Sequence, residues 1–158
     1  MSMGTSRIRV GRSVIAGAVV LLAIAVAGCD EKLSSVTGPT PNLQPTFSSI
    51  QREIFDTTDA SGRLACTGCH TNVGRNPTGG LNLLSGLSYT SLVGVASTGK
   101  PGAVRVIQGD PENSYIVQKL EGRATIAGGR MPRGSGPFLT EGQMLVIKRW
   151  ISNGAPNN

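Results

Sequence analysis

Aromatic side chains are scarce in this chain: one Trp, two Tyr and three Phe among 158 residues, all of them from Phe47 onward. A domain of about 110 residues with so few large apolar groups has little area to set against its chain entropy. Histidine occurs once, at His70, which excludes any site needing two imidazoles from one chain and any histidine acid–base partner beside the first. Cysteine occurs three times, at Cys29, Cys66 and Cys69. No run of basic residues is present, so a nucleic-acid partner has no electrostatic footprint. Long hydrophobic runs are limited to one, residues 14–28. Its fifteen residues fall short of the ~20 a helix needs to cross the hydrocarbon core, and no spanning helix is expected.

That single run does have a meaning. Arg7, Arg9 and Arg12 precede it without any acidic residue, and a positive segment followed by a short apolar stretch is the pattern of a secretory signal peptide, here residues 1–28. The run closes on Val26, Ala27, Gly28 and Cys29, which resembles the lipobox of bacterial lipoproteins, in which the cysteine sulfur is lipidated and becomes the new N-terminus. The other reading is ordinary cleavage after Ala27, which leaves Cys29 a free thiol. On the first reading the acyl chains, at ~0.8 kcal/mol per buried methylene, make the tether effectively permanent. The product is exported and anchored to a bacterial membrane, facing the periplasm or the cell exterior.

Loss of the three signal arginines leaves twelve Lys and Arg against nine Asp and Glu, so the formal charge falls from +6 to +3. Residues 29–46 carry Pro39, Pro41 and Pro45 among Ser, Thr, Asn and Gly, the composition of an extended linker with a mean reach of about 20–25 Å. The domain proper is expected over 47–158, mainly α. A first helix is predicted over 48–56, with Ser48 and Gln51 as a capping box and Ile50 and Ile54 on one face. A second is expected to start at Asp110 and Pro111, with Asp110 as its cap, and to carry Tyr115, Ile116 and Leu120. The third, over 140–153, has Thr140 and Gln143 as a capping box, Met144, Ile147 and Ile151 at helical spacing, and Gly154 with Pro156 as its stop. The first and third helices should pack together, because Ile50, Ile54 and Phe55 need an apolar partner that Ile147, Trp150 and Ile151 supply. A short helix over 88–95 and a brief strand over 104–107 complete the reading.

The chemistry lies in C-x-x-C-H at Cys66, Cys69 and His70. Two cysteines three apart on a helical turn share a face and can both reach the vinyl groups along one side of a haem, and the next residue, His70, meets the iron as proximal ligand. A single covalent haem c would also fill a core short of aromatics. It would leave no cysteine for a disulfide. Its two propionates would bring the mature charge close to neutral, so partner docking should be only weakly steered by charge. Two other uses of the motif are weaker. Zinc normally takes four Cys or His ligands, and Cys66, Cys69 and His70 would need a carboxylate to finish the set. A thioredoxin-like C-x-x-C needs a βαβ setting that these glycine-rich flanks do not offer.

Cys66 to His70, then Met131-Pro132 much later and a closing Trp150-Ile151-x-x-Gly154-Ala155-Pro156, make the chain similar to the monohaem class I-type cytochromes c. It is most similar to the planctomycete-type bacterial cytochrome c domain, with which it shares Gly79-Gly80-Leu81 and Gly109-Asp110-Pro111. The resemblance covers 47–156. It implies a cytochrome c fold in which the first and last helices cross beside the haem, a His and a Met as axial iron ligands, and one-electron transfer between redox protein partners, including the subunits of a membrane complex, rather than enzymatic turnover. Met1 and Met3 leave with the signal peptide, so Met131 and Met144 are the candidates for the distal ligand. Met144 shares a face with Ile147 and Ile151, where methionine is usually core. Met131 lies in a loop between Gly128-Gly129 and Pro132 and is the expected distal Fe ligand. Arg130 and Arg133 are candidate propionate partners or simply solvated, the Pro77 carbonyl is a candidate acceptor for the His70 ring, and Trp150 is expected in the core. A haem-based gas sensor with a labile sixth ligand is the alternative function, and a peroxidase-like enzyme lacks the distal histidine it usually wants.

Overall fold

The computed structural model describes Met1, residues 43–134 and residues 136–158. The signal peptide, Cys29 and all but the end of the linker lie outside the described residues. Regular structure among those residues is helical, with isolated β-bridges and no strand. The order is α1 (Phe47–Ile50) running straight into a π-helical turn (Gln51–Phe55), 3-10 turns at Cys66–Gly68 and Thr78–Gly80, α2 (Ser88–Leu92), α3 (Tyr115–Glu121) and α4 (Glu141–Ser152). Packing begins at Leu43, inside the stretch read as linker, where a buried side chain joins the core.

α4 follows its sequence signals. The Gln143 backbone N–H donates to Thr140 Oγ1 at 3.2 Å, and the Thr140 N–H donates to Gln143 Oε1 at 3.0 Å, so two otherwise orphaned donors are satisfied reciprocally. Met144, Val146, Ile147, Trp150 and Ile151 are buried along it, and the chain leaves at Gly154 with φ +90°, a conformation open to glycine at little cost.

α1 starts at Phe47, one residue before the expected 48, and its cap lies two residues before the expected one. Thr46, not Ser48, is its cap and accepts from Ser49 N at 3.3 Å. Gln51 is not free to complete a capping box because its buried amide donates to Leu83 O and Asp56 Oδ1, each at 2.9 Å, and accepts from Ser88 Oγ. It thereby joins α1 to α2. Two further first-turn donors of α1 are taken by Asn158, through its carbonyl to Ser48 N at 2.7 Å and its side-chain oxygen to Phe47 N at 2.9 Å. α1 and α4 pack together as expected. The Phe47 ring lies 5.3 Å from Trp150, 5.2 Å from Tyr89 and 6.5 Å from Phe55, so four of the six aromatics form one cluster, each pair worth about 0.5–1.5 kcal/mol beyond its area. Trp150 is fully buried and its indole N–H donates to Pro156 O at 2.9 Å, a core role.

The strand expected over 104–107 is absent, and α3 begins at Tyr115 rather than at Asp110. The carbonyls of Val104 and Arg105 accept from Tyr115 N at 2.9 Å and Ile116 N at 3.0 Å, so this extended segment caps α3, while Val106 and the Arg105 N–H bond back to Leu92, Gly94 and Val95. It meets Val93, Ala96 and Asp110 only through single bridges. Asp110 closes a turn with Asn113, accepting from its backbone N–H at 3.1 Å, and Ser114 takes the cap position. α3 stops at Gly122 (φ +74°), where a Cβ would fall 2.8 Å from Arg130 Cδ. Glycine there permits both the left-handed stop and the close passage of the 127–133 loop. α3 is tied to α4 at the surface by Lys148, which pairs with Glu112 at 3.0 Å and Glu121 at 2.5 Å.

Candidate functional site

Between the α1/π-turn segment, α3 and the loops on either side lies a cavity of about 390 Å³. Ile54, Leu81, Leu83, Leu92 and Ile116 make it apolar, and Cys66, Cys69, His70 and Met131 all line it. Each of these four sequence-predicted residues is therefore at one place. Met144 is not among the lining residues; it is buried with the core cluster.

Cys66 opens a 3-10 turn and Cys69 follows it. His70 N donates to Cys66 O at 2.9 Å, which keeps the imidazole on the same short turn as the thiols. Both thiols are unpaired; Cys69 is exposed and Cys66 is half-buried against the core. Burial pushes the Cys66 thiol up from its ordinary value, against the pull of Arg63 nearby. A neutral thiol is the form that persists until it reacts.

His70 Nδ1 lies 3.0 Å from the Thr78 carbonyl. A carbonyl only accepts, so Nδ1 carries the proton and Nε2 keeps a lone pair for a metal. Burial chiefly, with the cations Arg105 and Lys119 adding to it, holds the imidazole below its usual pKa. The acceptor is Thr78 rather than Pro77; the Pro77 carbonyl accepts from Gly80 N at 2.9 Å, and the Thr78 carbonyl accepts from Leu81 N at 3.3 Å as well as facing the imidazole.

The arginines divide differently from the sequence expectation. Arg130 turns away: Nε donates to Leu120 O at 2.7 Å and the guanidinium stacks over Phe138 at 3.8 Å. Arg133 lines the cavity and is exposed. Arg105, not singled out by the sequence, is only 7 % exposed and lines the cavity as well. It donates to Ser91 O at 2.8 Å and Gly79 O at 3.1 Å, has no carboxylate partner among the described residues, and is lowered in pKa by burial. A buried cation of this kind is costly until an anion joins it. The one available signal was a charge inside the apolar run Val104, Val106 and Ile107.

Arg63 was also missed. Its side chain is fully buried, pairs with Asp59 at 3.0 Å, and donates to Ile54 O and Leu64 O, each at 3.2 Å. It braces the end of the π turn against the approach to Cys66. Burial acts upward on Asp59, but the bonds from Ser61 and Arg63 outweigh it and leave the carboxyl below its ordinary value. A depressed folded-state pKa means that this stabilisation is present above the unfolded carboxylate pKa of ~3.9 and is lost as pH falls through the folded value. Asp59→Asn should cost roughly 2 kcal/mol at pH 7 and remove that part of the acid-side loss. Urea titrations at pH 7 and pH 3 check both points; an unchanged midpoint at pH 7 would mean that the carbonyls alone sustain Arg63.

Among the described residues no group of three or more His, Cys, Asp or Glu side chains is placed to hold a metal ion. No helix among them is long and apolar enough to cross a membrane. The chain matches no protein-family model, no curated protein and no solved structure. Its function has to be argued from its own residues.

Proposed function

We propose that this protein is a monohaem c-type cytochrome, exported and tethered to a bacterial membrane through a lipid on Cys29, that passes single electrons between redox protein partners. The observation that carries this reading is the convergence on one apolar cavity of two thiols outside any disulfide, an imidazole whose Nδ1 is held by the Thr78 carbonyl and a thioether. Cys66 and Cys69 would carry the two thioether links to the haem, and His70 Nε2 and Met131 Sδ would hold its iron. The haem iron supplies a one-electron ferric/ferrous couple.

The protein's part is to hold the donors still and keep water out. The Thr78 carbonyl fixes the His70 tautomer, and the leucines and isoleucines of the cavity lower the local dielectric. The buried Arg105 is suited to pair with a haem propionate and favours the less positive ferrous state. Two protein ligands on one iron leave little to rearrange when an electron arrives, which suits a carrier.

Holoprotein matured in a host able to attach haem c should give a pyridine haemochrome of a twice-thioether-linked haem, one haem per chain, and a single reversible one-electron wave. A chain without covalent haem would refute the proposal. Ready binding of carbon monoxide to the reduced protein would turn it toward a gas sensor.

A further inference from the structure

Lys119 stands beside the cavity with an unusual set of bonds. Its Nζ donates to Ala127 O at 2.9 Å and to Gly129 O at 2.5 Å, while its own carbonyl accepts from Met131 N at 2.9 Å. One residue of α3 thus grips the 127–131 loop at three points. Gly128, between the two chelated carbonyls, has φ +67°, and Gly129 follows it. Two adjacent glycines give a loop the largest backbone freedom to lose. The ammonium removes it where the chain has no side chains of its own to do so. An exposed lysine at a helix end is ordinarily solvated; this one is half-buried, lines the cavity and is spent on the loop.

Resting on the cytochrome reading, we propose that Lys119 is the positioning residue that holds the Met131 sulfur at the iron. With its Nζ engaged by the Ala127 and Gly129 carbonyls of the loop, Lys119 acts on the iron site through the loop that carries Met131 and is not itself a ligand. The other attachments of the loop, Ala127 N to Tyr115 Oη at 3.0 Å and Arg130 Nε to Leu120 O at 2.7 Å, place it along α3. Among the described residues, only Lys119 bonds the loop on both sides of Gly128.

The test uses purified ferric holoprotein and imidazole as the probe ligand, which must displace the Met131 sulfur to bind. Lys119→Met should bind imidazole roughly tenfold tighter or more than the parent, as the loss of two charge-assisted hydrogen bonds allows, with haem content and urea midpoint little changed. Lys119→Arg should restore most of the protection. Adding Lys119→Met to Met131→Ala should produce no further gain, since the loop then has no sulfur to hold. Unchanged affinity in Lys119→Met, with tighter binding in Met131→Ala, overturns this inference alone. Unchanged affinity in both variants overturns Met131 as ligand together with it. Should Lys119→Met yield no holoprotein, Lys119→Gln, shorter and neutral, takes the same measurement with the same outcomes.

Discussion

Met131→Ala will abolish the weak far-red absorption of Met-ligated ferric haem, open the reduced iron to carbon monoxide and lower the midpoint potential by on the order of 0.1 V or more, within the roughly 0.8 V span that axial ligation commands. The direction follows from the donor. A soft, neutral thioether stabilises ferrous iron over ferric, and its replacement by water or hydroxide reverses that preference. Which methionine to remove follows from placement: Met131 packs at the edge of the core and lines the same cavity as His70, whereas Met144 is buried on α4 among core residues and lines none of it. Met144→Ala should therefore cost stability by the usual core-truncation mechanism, about 2–5 kcal/mol, while leaving the far-red band in place. A spectroelectrochemical titration of the two variants separates the cases. If the band and the high potential survived in Met131→Ala and were lost in Met144→Ala, the ligand assignment would be wrong.

The readable parts of this chain are those where chemistry and local spacing agree. C-x-x-C-H needs only three side chains close together in sequence, so Cys66, Cys69 and His70 could be read without knowing any long-range contact. The same holds for α4, whose Thr140/Gln143 box and apolar spacing act within one helix. Errors arose where a local signal was claimed by a distant partner. Gln51 looked like half of a capping box, yet its amide is held by Leu83 and Ser88. Residues 104–107 read as a strand, but the carbonyls of Val104 and Arg105 are taken by the first donors of α3, and the helix expected from Asp110 starts only at Tyr115. The acceptor for the His70 ring is one residue beyond Pro77, at Thr78. Arg105 and Lys119 could not have been picked from spacing, since burial and the loop's carbonyls give them their meaning.

Cys66→Ala combined with Cys69→Ala should leave a chain without a cooperative unfolding transition. Of the six aromatics, four gather at the α1/α4 crossing, and the opposite side of the core surrounds a cavity of about 390 Å³. At ~24 cal/mol per Å³ of residual cavity, an unfilled space of that size would cost up to about 9 kcal/mol. That is an upper bound, because the mouth is open and water can enter. It is still of the same order as the whole net stability of a typical domain, ~5–15 kcal/mol. The buried Arg105 adds to the deficit, being a cation without a carboxylate partner among the described residues until an anion arrives. On the proposed reading, a haem without the thioethers would be held only by its iron ligands and would be free to dissociate, so attachment and folding would be coupled much as metal and folding are in small metallodomains. Circular dichroism should show partial helix from the α1/α4 region with a broad, shallow melt, against a sharp transition for the holoprotein. A sharp, parent-like melt of the double variant, with no haem bound, would show that the polypeptide closes its core unaided.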